Sequence, residues 1–533
     1  MKNPSILNDV IGPVMRGPSS SHSAAAARIG RIARAVMGEK IDHVLVEFDK
    51  NGSLPTTHLS QGSDMGLSAG LLGFNTSDKR LIQYENELVS ADINVRYVYG
   101  FYGDPHPNTY RLTLENKEEK HTLIAVSTGG GMIKIIELDG NPVSIEGDIH
   151  ETLIFFDGDE KSIIEIINEA NKDIDSKCHN QGTPFVEIKT PLPLPDNLVG
   201  KLSSLSDVTK IRSIHPVLPI LTPKSLKVPF ESYSQLIEFN KERKWSLGNL
   251  AIEYERQRGD VSTDAVLNKM SDIIKIIRTS IKKALKGTRH PSRILGPQSL
   301  NFHKKLESGN LANLGVLNTI ILYITALMEA KSAMEIIVAA PTAGSCGGLP
   351  GAVIGASDAL DIDEDSVIRS MMAGGLVGVL IIQKGTFAAE VAGCQAECGS
   401  SSGMAAAALV DLLGGSAEQA LAAASMALQN IFGMVCDPVA NRVEVPCLGK
   451  NIMAASNAVS CANMALSGFD PVIPFDEVVT VMDKIGKSIP SELRCTALGG
   501  LSITKTSKEI EHALEQGATE GDWKNINNKK SEG

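Results

Sequence analysis

The chain has 533 residues, of which 43% are hydrophobic and 21% are charged, so it is longer than one hydrophobic core usually serves and predicts two or three domains. Its formal net charge of -11, without a basic stripe interleaved with aromatic residues, argues against nucleic acid and anionic membranes as partners and favours a small polar substrate. The start of the sequence lacks the charged and apolar regions of a signal peptide, and no apolar run approaches ~20 residues. We therefore expect a soluble cytoplasmic protein, in which clustered cysteines are more often metal ligands or catalytic groups than disulfides.

A serine-rich loop precedes the first predicted helix. Residues 11–35 run from a Gly-Pro turn through Ser19, Ser20, Ser21 and His22 into an alanine-rich segment. Exposed N–H groups and the positive end of a helix dipole make such a place suitable for a carboxylate or phosphate. A purely structural helix cap is the alternative interpretation.

The region after this helix alternates apolar and polar positions, most clearly over residues 91–138, which predicts strands in an α+β domain. One turn in it is rich in glycine and consists of Ser127, Thr128, Gly129, Gly130 and Gly131. Such a turn allows a close backbone approach to a ligand, although a plain glycine hairpin has the same pattern.

The pattern changes twice further along the chain. Residues 151–222 alternate strands with two helices, which suits a small ferredoxin-like module, and from about residue 230 long helices follow with few strand signals. The sequence thus predicts a multidomain α+β protein. Its expected parts are an α+β domain at 1–150, the ferredoxin-like module at 151–225, an all-helical domain at 226–515 and a polar tail at 516–533.

Five of the eight cysteines fall between Cys346 and Cys447 in the predicted helical part. Cys394, Cys436 and Cys447 each stand beside a glycine or proline, so loops rather than helix interiors are expected to carry them. Short CxxC pairs typical of zinc ribbons are absent from the sequence, which favours a cluster gathered from distant loops. The alternative is that these cysteines are small apolar core residues.

Seven motifs together resemble those of the iron–sulfur-dependent L-serine dehydratases, in that family's order and over nearly the whole chain. They read GPSSSHS from residue 17, DPHPNT from 104, STGGGMIKI from 127, APTAGSCGGLPG from 340, GCQAECGS from 393, CDPVANRVEVPCLGKN from 436 and LRCTALGGL from 493. The resemblance implies a β domain followed by a helical α domain, with the active site between them. It also implies a lyase that converts L-serine to pyruvate and ammonia.

The same resemblance implies a [4Fe-4S] cluster with Cys394, Cys436 and Cys447 as its ligands. Loss of water from serine needs a base at Cα and an electrophile at the hydroxyl, and an iron left open by three thiolates suits the second role. His22 is the candidate acid or base, because an imidazole titrates near neutral pH. The candidate residues for binding the substrate carboxylate or amine are Ser19, Ser20, Ser21, Ser127, Thr128, Gly129, Gly130 and Thr342.

Two positions depart from the family pattern. Gln61 stands where many members have histidine, and Cys495 stands where glutamate is common, so Cys495 is either an additional ligand or, as we prefer from sequence alone, a buried thiol. Residues 151–222 also resemble ACT domains, which makes a homodimer and regulation by serine plausible.

Other functions remain open at this stage. They are an amino-acid-binding regulatory protein, a dehydratase of a related small hydroxy acid, and a pyridoxal-phosphate enzyme using Lys384. The last lacks a phosphate-binding glycine loop beside that lysine.

Overall fold

The structure is a computed structural model that describes residues 3–38, 40–171, 174–222 and 226–517. Most of the predicted polar tail, from residue 518 onwards, lies outside the described residues. The predicted fold class is confirmed, because a β-rich N-terminal part, a small α+β module and a large helical part follow one another along the chain.

The N-terminal part contains a six-stranded mixed sheet. The edge strand Asn94–Gly100 pairs in parallel with His43–Asp49, and the remaining neighbours are antiparallel. In sheet order the strands are Asn94–Gly100, His43–Asp49, Thr109–Glu115, Lys120–Gly129, Met132–Leu138 and Asn141–Ile145. Their alternating burial places one face against the apolar side of the helix Ala25–Val36.

This helix also packs against Ser63–Leu71, and small residues set the distance between the two. A Cβ on Gly70 would lie 2.2 Å from the carbonyl oxygen of Ala27, so the helices touch through their backbones. The shorter helices of this part are Leu54–Thr57 and Tyr84–Ser90. The close helix pair holds the serine-rich loop, which folds as a π-helical turn over Ser20–Ala24, against the sheet.

The module has the βαββαβ order of a ferredoxin-like fold. Its antiparallel sheet has strand order Val208–Ile214, His150–Phe156, Phe185–Thr190 and Asp175–His179. The helices Lys161–Ala170 and Asp196–Ser203 cover one face through an apolar stripe that includes Ile163, Ile167 and Leu198.

The C-terminal part is a helical bundle whose alanine- and glycine-rich helices pack closely. Its helices of eight or more residues are Tyr233–Asn240, Leu247–Gly259, Thr263–Ala284, Gln298–Glu307, Val316–Ser332, Gly348–Leu360, Glu364–Ile382, Ser400–Leu412, Ala417–Gln429, Cys447–Leu466, Phe475–Ser488 and Lys505–Glu515. The helix Glu364–Ile382 is long and apolar enough to cross a membrane, but 78% of its apolar window is buried inside the protein, as in a core helix.

The first described residues of the N-terminal part contact the helical part. The turn Ile6–Val10 packs into the helical core, and the two-residue strand Val14–Met15 pairs with Ile337–Val338. Because the serine-rich loop follows directly, these contacts fix it against the loops that carry the cysteines.

Candidate functional site

The first cysteine loop is positioned by a glycine and a glutamine. Gly393 has φ +71°, and a Cβ there would lie 2.7 Å from the carbonyl oxygen of Met434, so only glycine fits without rearrangement. The Gln395 amide donates to Met482 O at 2.6 Å, and its carbonyl accepts from Gly433 N–H at 2.9 Å. Cys394, between Gly393 and Gln395, is thereby held beside the segment that leads to Cys436.

The second cysteine belongs to a short backbone pairing. Cys436 N–H donates to Leu493 O at 2.8 Å, and Cys495 N–H donates back to Cys436 O at 2.9 Å. Asp437 accepts from Leu501 N–H and from the Lys450 ammonium, each at 3.0 Å. The pairing therefore brings Cys495, 59 positions further along the sequence, next to Cys436.

The third cysteine begins the helix Cys447–Leu466. One turn later Asn451 donates to Cys447 O and to Gly344 O, both at 2.8 Å, and it lies 3.5 Å from Cys398 Sγ. This amide joins the cysteine helix to the loop that contains Thr342. The N-terminal end of a helix also offers a positive potential to nearby thiolates.

Five buried thiols meet at this place. They belong to Cys394, Cys398, Cys436, Cys447 and Cys495.

Hydrogen bonds from Cys398 and Cys436, together with nearby Lys450, hold the pKa of Cys394 well below its usual range. For Cys398, by contrast, the contact with Cys394 and burial of the thiol raise the pKa. Burial alone would lower the pKa of Lys450, but the surrounding sulphurs raise it, so a cation balances the thiolate. One ligand atom from each of Cys394, Glu397 and Cys436 lies within 4.8 Å of the others.

Two carboxyl groups adjoin the thiols, the half-buried Glu397 and the buried Glu390. Burial and the nearby Cys394 raise the pKa of Glu397 to about 8, and Thr342 Oγ1 donates to its Oε1 at 2.6 Å. Burial also raises the pKa of Glu390, against a smaller lowering by Asn108. Glu390 Oε2 and Asn108 Nδ2 nevertheless have no hydrogen-bond partner among the described residues. Unpartnered buried polar atoms of this kind indicate a place for a ligand or ordered water.

His22 is completely buried, with both ring nitrogens in contact with hydroxyl groups. Thr57 donates its hydroxyl to Ser53 O at 2.7 Å, so at 2.9 Å it can only accept from His22 Nε2. Nδ1 is then the acceptor for the Ser19 hydroxyl at 3.0 Å, and it lies 3.6 Å from Glu390 Oε1. Burial lowers the pKa of His22 to about 3, so the imidazole is neutral at pH 7.

The other residues predicted to bind substrate mainly contact the protein itself. Ser127 donates to Ser21 O at 2.7 Å, and Ser20 Oγ accepts from Ala343 N–H at 3.2 Å. A Cβ on Gly129 would lie 2.8 Å from Ala388 N, and one on Gly130 would lie 3.3 Å from Pro341 O. Ser20, Gly129 and Gly130 therefore pack against the helical part, whereas Ser127 holds the serine-rich loop within the N-terminal part. Thr128 is half-buried in the same turn. Substrate binding by this set of residues stays a prediction.

A cleft with a volume of about 380 Å³ opens beside Glu390. The N-terminal part lines it with Ser53 and His106, and the helical part lines it with Glu390, Arg494 and Thr496. None of the five thiols lines this cleft, but Glu390 lies near Cys394, and Arg494 and Thr496 flank Cys495, so the cleft lies beside the thiol cluster. A larger cleft of about 570 Å³ is lined by neither the five thiols nor Glu390. We therefore assign the candidate site to the smaller cleft.

Sequence reasoning missed Glu390, Glu397 and Arg494 as site residues, and it set Cys495 and Cys398 aside. Glu390 and Glu397 lie within four positions of Cys394, and Arg494 directly precedes Cys495. Their proximity to cysteines was the available signal. Only the folded structure shows that Glu390 and Arg494 line one cleft and that Glu397, Cys398 and Cys495 lie in the neighbouring thiol cluster.

A cleft between two parts of one chain, lined by the carboxyl of Glu390 and lying beside buried thiols, is typical of an α+β enzyme rather than of a simple binding module. Residues 241–502 match the family model described as "Serine dehydratase alpha chain".

Known proteins match about half of the chain. The "Probable L-serine dehydratase, alpha chain" of Bacillus subtilis (strain 168) is 35% identical over 289 residues, which cover 54% of this chain and 96% of that protein. The "L-serine dehydratase, alpha chain" of Peptoniphilus asaccharolyticus is 35% identical over 277 residues, covering 52% of this chain and 95% of that protein. "L-serine dehydratase 1" of Escherichia coli (strain K12) is 31% identical over 287 residues, covering 52% of this chain and 63% of that protein. The chain belongs to the serine dehydratase family, and the predicted resemblance is confirmed.

Proposed function

We propose that this protein is an L-serine dehydratase that forms pyruvate and ammonia, with a [4Fe-4S] cluster held by Cys394, Cys436 and Cys447. The observation that carries the proposal is the meeting of thiols from separate loops beside a cleft between the two parts of the chain. The relatives named as L-serine dehydratases support the choice of substrate.

The residues present fit an iron–sulfur cluster. Cysteine thiolates are the usual ligands of such clusters, and the half-buried ammonium of Lys450 offsets part of their negative charge. Buried thiols also exclude solvent from a cofactor that is sensitive to it. When bound, the cluster supplies a Lewis acid for the hydroxyl group of the substrate.

Glu390 is the residue best placed to accept the proton from Cα. It lines the cleft, its Oε2 has no partner among the described residues, and a carboxyl whose pKa is raised is a stronger base than an ordinary one. His22 lies next to Glu390, with the acceptor atom Nδ1 3.6 Å from Glu390 Oε1. We propose that His22 and Ser19 orient Glu390 and share its proton, which keeps the predicted role of His22 in proton transfer.

Arg494 is the candidate for binding the substrate carboxylate. It lines the cleft, one of its terminal nitrogens donates to Val391 O at 3.0 Å, and its Nε has no hydrogen-bond partner among the described residues. A guanidinium matches the planar geometry of a carboxylate. The side chain of Asn108, which lies beside Glu390, is a second candidate donor.

The test is to purify the protein without oxygen and to measure iron, sulfide, the absorption spectrum and pyruvate formation together. We expect about four iron and four sulfide ions per chain, a broad brown absorption, and pyruvate from L-serine. L-Glycerate, which has a hydroxyl in place of the amino group of L-serine at the same configuration, tests the alternative of a small hydroxy acid. An aldimine band, or a colourless protein that binds serine without turnover, would contradict the proposal.

A further inference from the structure

Cys495 is held in an unusual backbone conformation. Its φ of +60° lies in the left-handed region, which side chains with a Cβ avoid at a cost of roughly 1–2 kcal/mol. The hydrogen bond from its N–H to Cys436 O helps to keep it there. Conformations of this kind are often kept where they aim a side chain at a functional site.

The side chain of Cys495 points into the thiol cluster. It is 5% exposed, its thiol is in hydrogen-bonding contact with Cys436, and Gln61 Nε2 donates to its Sγ at 3.3 Å. Gln61 comes from the N-terminal part of the chain. The two positions where the sequence departs from the family pattern are therefore direct neighbours.

Cys398 lies on the other side of the cluster. Its sulphur is in contact with Cys394 and with the Asn451 amide, which also binds Gly344 O and Cys447 O. Cys495 instead lies between Arg494 and Thr496, which both line the cleft. Apart from Cys394, Cys436 and Cys447, the cluster contains Cys398 and Cys495, and of these two Cys495 is the one whose sequence neighbours line the cleft.

We propose that Cys495 Sγ is a fourth protein ligand of the cluster in the substrate-free enzyme, and that Gln61 steadies its thiolate. The inference rests on the proposed function, because it concerns the position that Cys394, Cys436 and Cys447 leave open. A fourth thiolate would protect the cluster from losing iron while no substrate is bound. The contact with the Gln61 amide fixes the position of this sulphur beside Cys436.

The test compares Cys495→Ala with wild-type protein and with Cys461→Ala. Cys461 is a fully buried thiol that contacts Asn430 and Asn457, outside the site, and serves as the matched control. Each protein is purified without oxygen, analysed for iron and sulfide, exposed to air without serine, and followed by the electron paramagnetic resonance signal of a three-iron cluster. A tethered ligand acts at a high effective concentration, so we expect this signal to appear about tenfold faster in Cys495→Ala.

Gln61→Leu keeps the size of the side chain and removes its donor. It should speed the loss of iron in the wild-type background and have no effect in the Cys495→Ala background, because the two residues act through one contact. Equal rates in Cys495→Ala and wild type, with full clusters in both, would overturn the role of Cys495 and leave the proposed function standing. Absence of a cluster from the wild-type protein would instead refute the proposed function.

Discussion

In both large parts of the molecule polar side chains bind backbone groups, but with different results for the site. On the helical side, Gln395, Asp437 and Asn451 bind backbone groups and so leave several thiols facing one centre. On the N-terminal side, the hydroxyls of Ser127 and Ser20 bind backbone groups themselves. Such contacts thus position a cluster of thiols in the helical part, whereas in the N-terminal part they only hold loops in place.

The difference follows from the chemistry of the side chains. A thiol is a weak hydrogen-bond donor and acceptor, so hydrogen bonding gives no reason for five of them to meet. Serine hydroxyls readily satisfy buried backbone groups, and a buried serine in such a contact needs no ligand to explain it. Clustering of thiols is therefore the stronger sign of a cofactor.

The largest effect should come from the predicted ligands. Cys394→Ser, Cys436→Ser or Cys447→Ser is expected to abolish cluster assembly and serine turnover, because each removes one of three loop thiolates. Cys178→Ser should leave both nearly intact, since Cys178 lies on the ferredoxin-like module. Iron and sulfide analysis after anaerobic purification measures the result. Full iron occupancy in any of the first three variants would refute that ligand assignment.

Glu390→Gln tests the acid–base role beside the thiols. The change keeps the shape and removes the ionisable group, so turnover should fall by about 10²-fold or more while the iron content stays normal. Glu477→Gln alters an exposed carboxyl and is the matched control. A rise of KM alone in Glu390→Gln would mean that Glu390 binds substrate instead of moving a proton.

His22→Ala separates the two parts of the proposed proton path. If His22 shares the proton of Glu390, turnover should fall by about 10²-fold, and the pH at which activity reaches half its maximum should move. If His22 only holds the loop, the pH profile should keep its shape. The pH dependence of kcat/KM from pH 5 to about 9 distinguishes the two results.

The periodicity of the sequence predicted much of the fold, but it predicted less of the site. Alternating residues in 151–222 predicted the ferredoxin-like module, and the loss of strand signals predicted the helical part, because burial of one face imposes these patterns. Glu390 and Arg494 lie 104 positions apart, and no local pattern shows that they line one cleft. The preference for Cys495 as a mere buried thiol had the same cause, since its contact with Gln61 spans 434 positions.

A smaller effect should come from the geometry of the first cysteine loop. Gly393→Ala forces a Cβ to within 2.7 Å of Met434 O in addition to a strained φ, so the loop must shift and iron occupancy should fall. Gly414→Ala has a similar φ of +78° with no atom within 4 Å, so it isolates the strain, about 1–2 kcal/mol, from the clash. Equal iron content in the two variants would show that the loop tolerates the shift.

The smallest expected effect on turnover comes from Glu151, a residue outside the site. It shows how burial raises the pKa of a carboxyl that has no thiol cluster nearby. Glu151 is buried in the ferredoxin-like module, and burial is the main cause that raises its pKa to about 9, while Lys189 at 3.5 Å opposes the shift. Between pH about 4.5 and 9 the unfolded chain releases this proton and the folded chain keeps it. Stability of the module should therefore decrease as pH rises through that window, by at most about 1.4 kcal/mol per pH unit. The neighbouring Glu187 has a lowered pKa, so its contribution changes only at pH below the ordinary value of 4.5.

Glu151→Gln should flatten this pH dependence and leave serine turnover within about twofold of wild type, because surface and distant changes rarely reach the catalytic groups. Hydrogen exchange of the strand His150–Phe156 between pH 6 and about 8.5 reports the module directly, once intrinsic exchange rates are corrected for pH. Glu165→Gln, at an exposed position of the same module, is the control that should keep the slope. A loss of turnover in Glu151→Gln as large as that in Glu390→Gln would contradict the distinction between the two carboxyls. It would mean that a carboxyl with a raised pKa can be essential for turnover even without thiols or a cleft beside it.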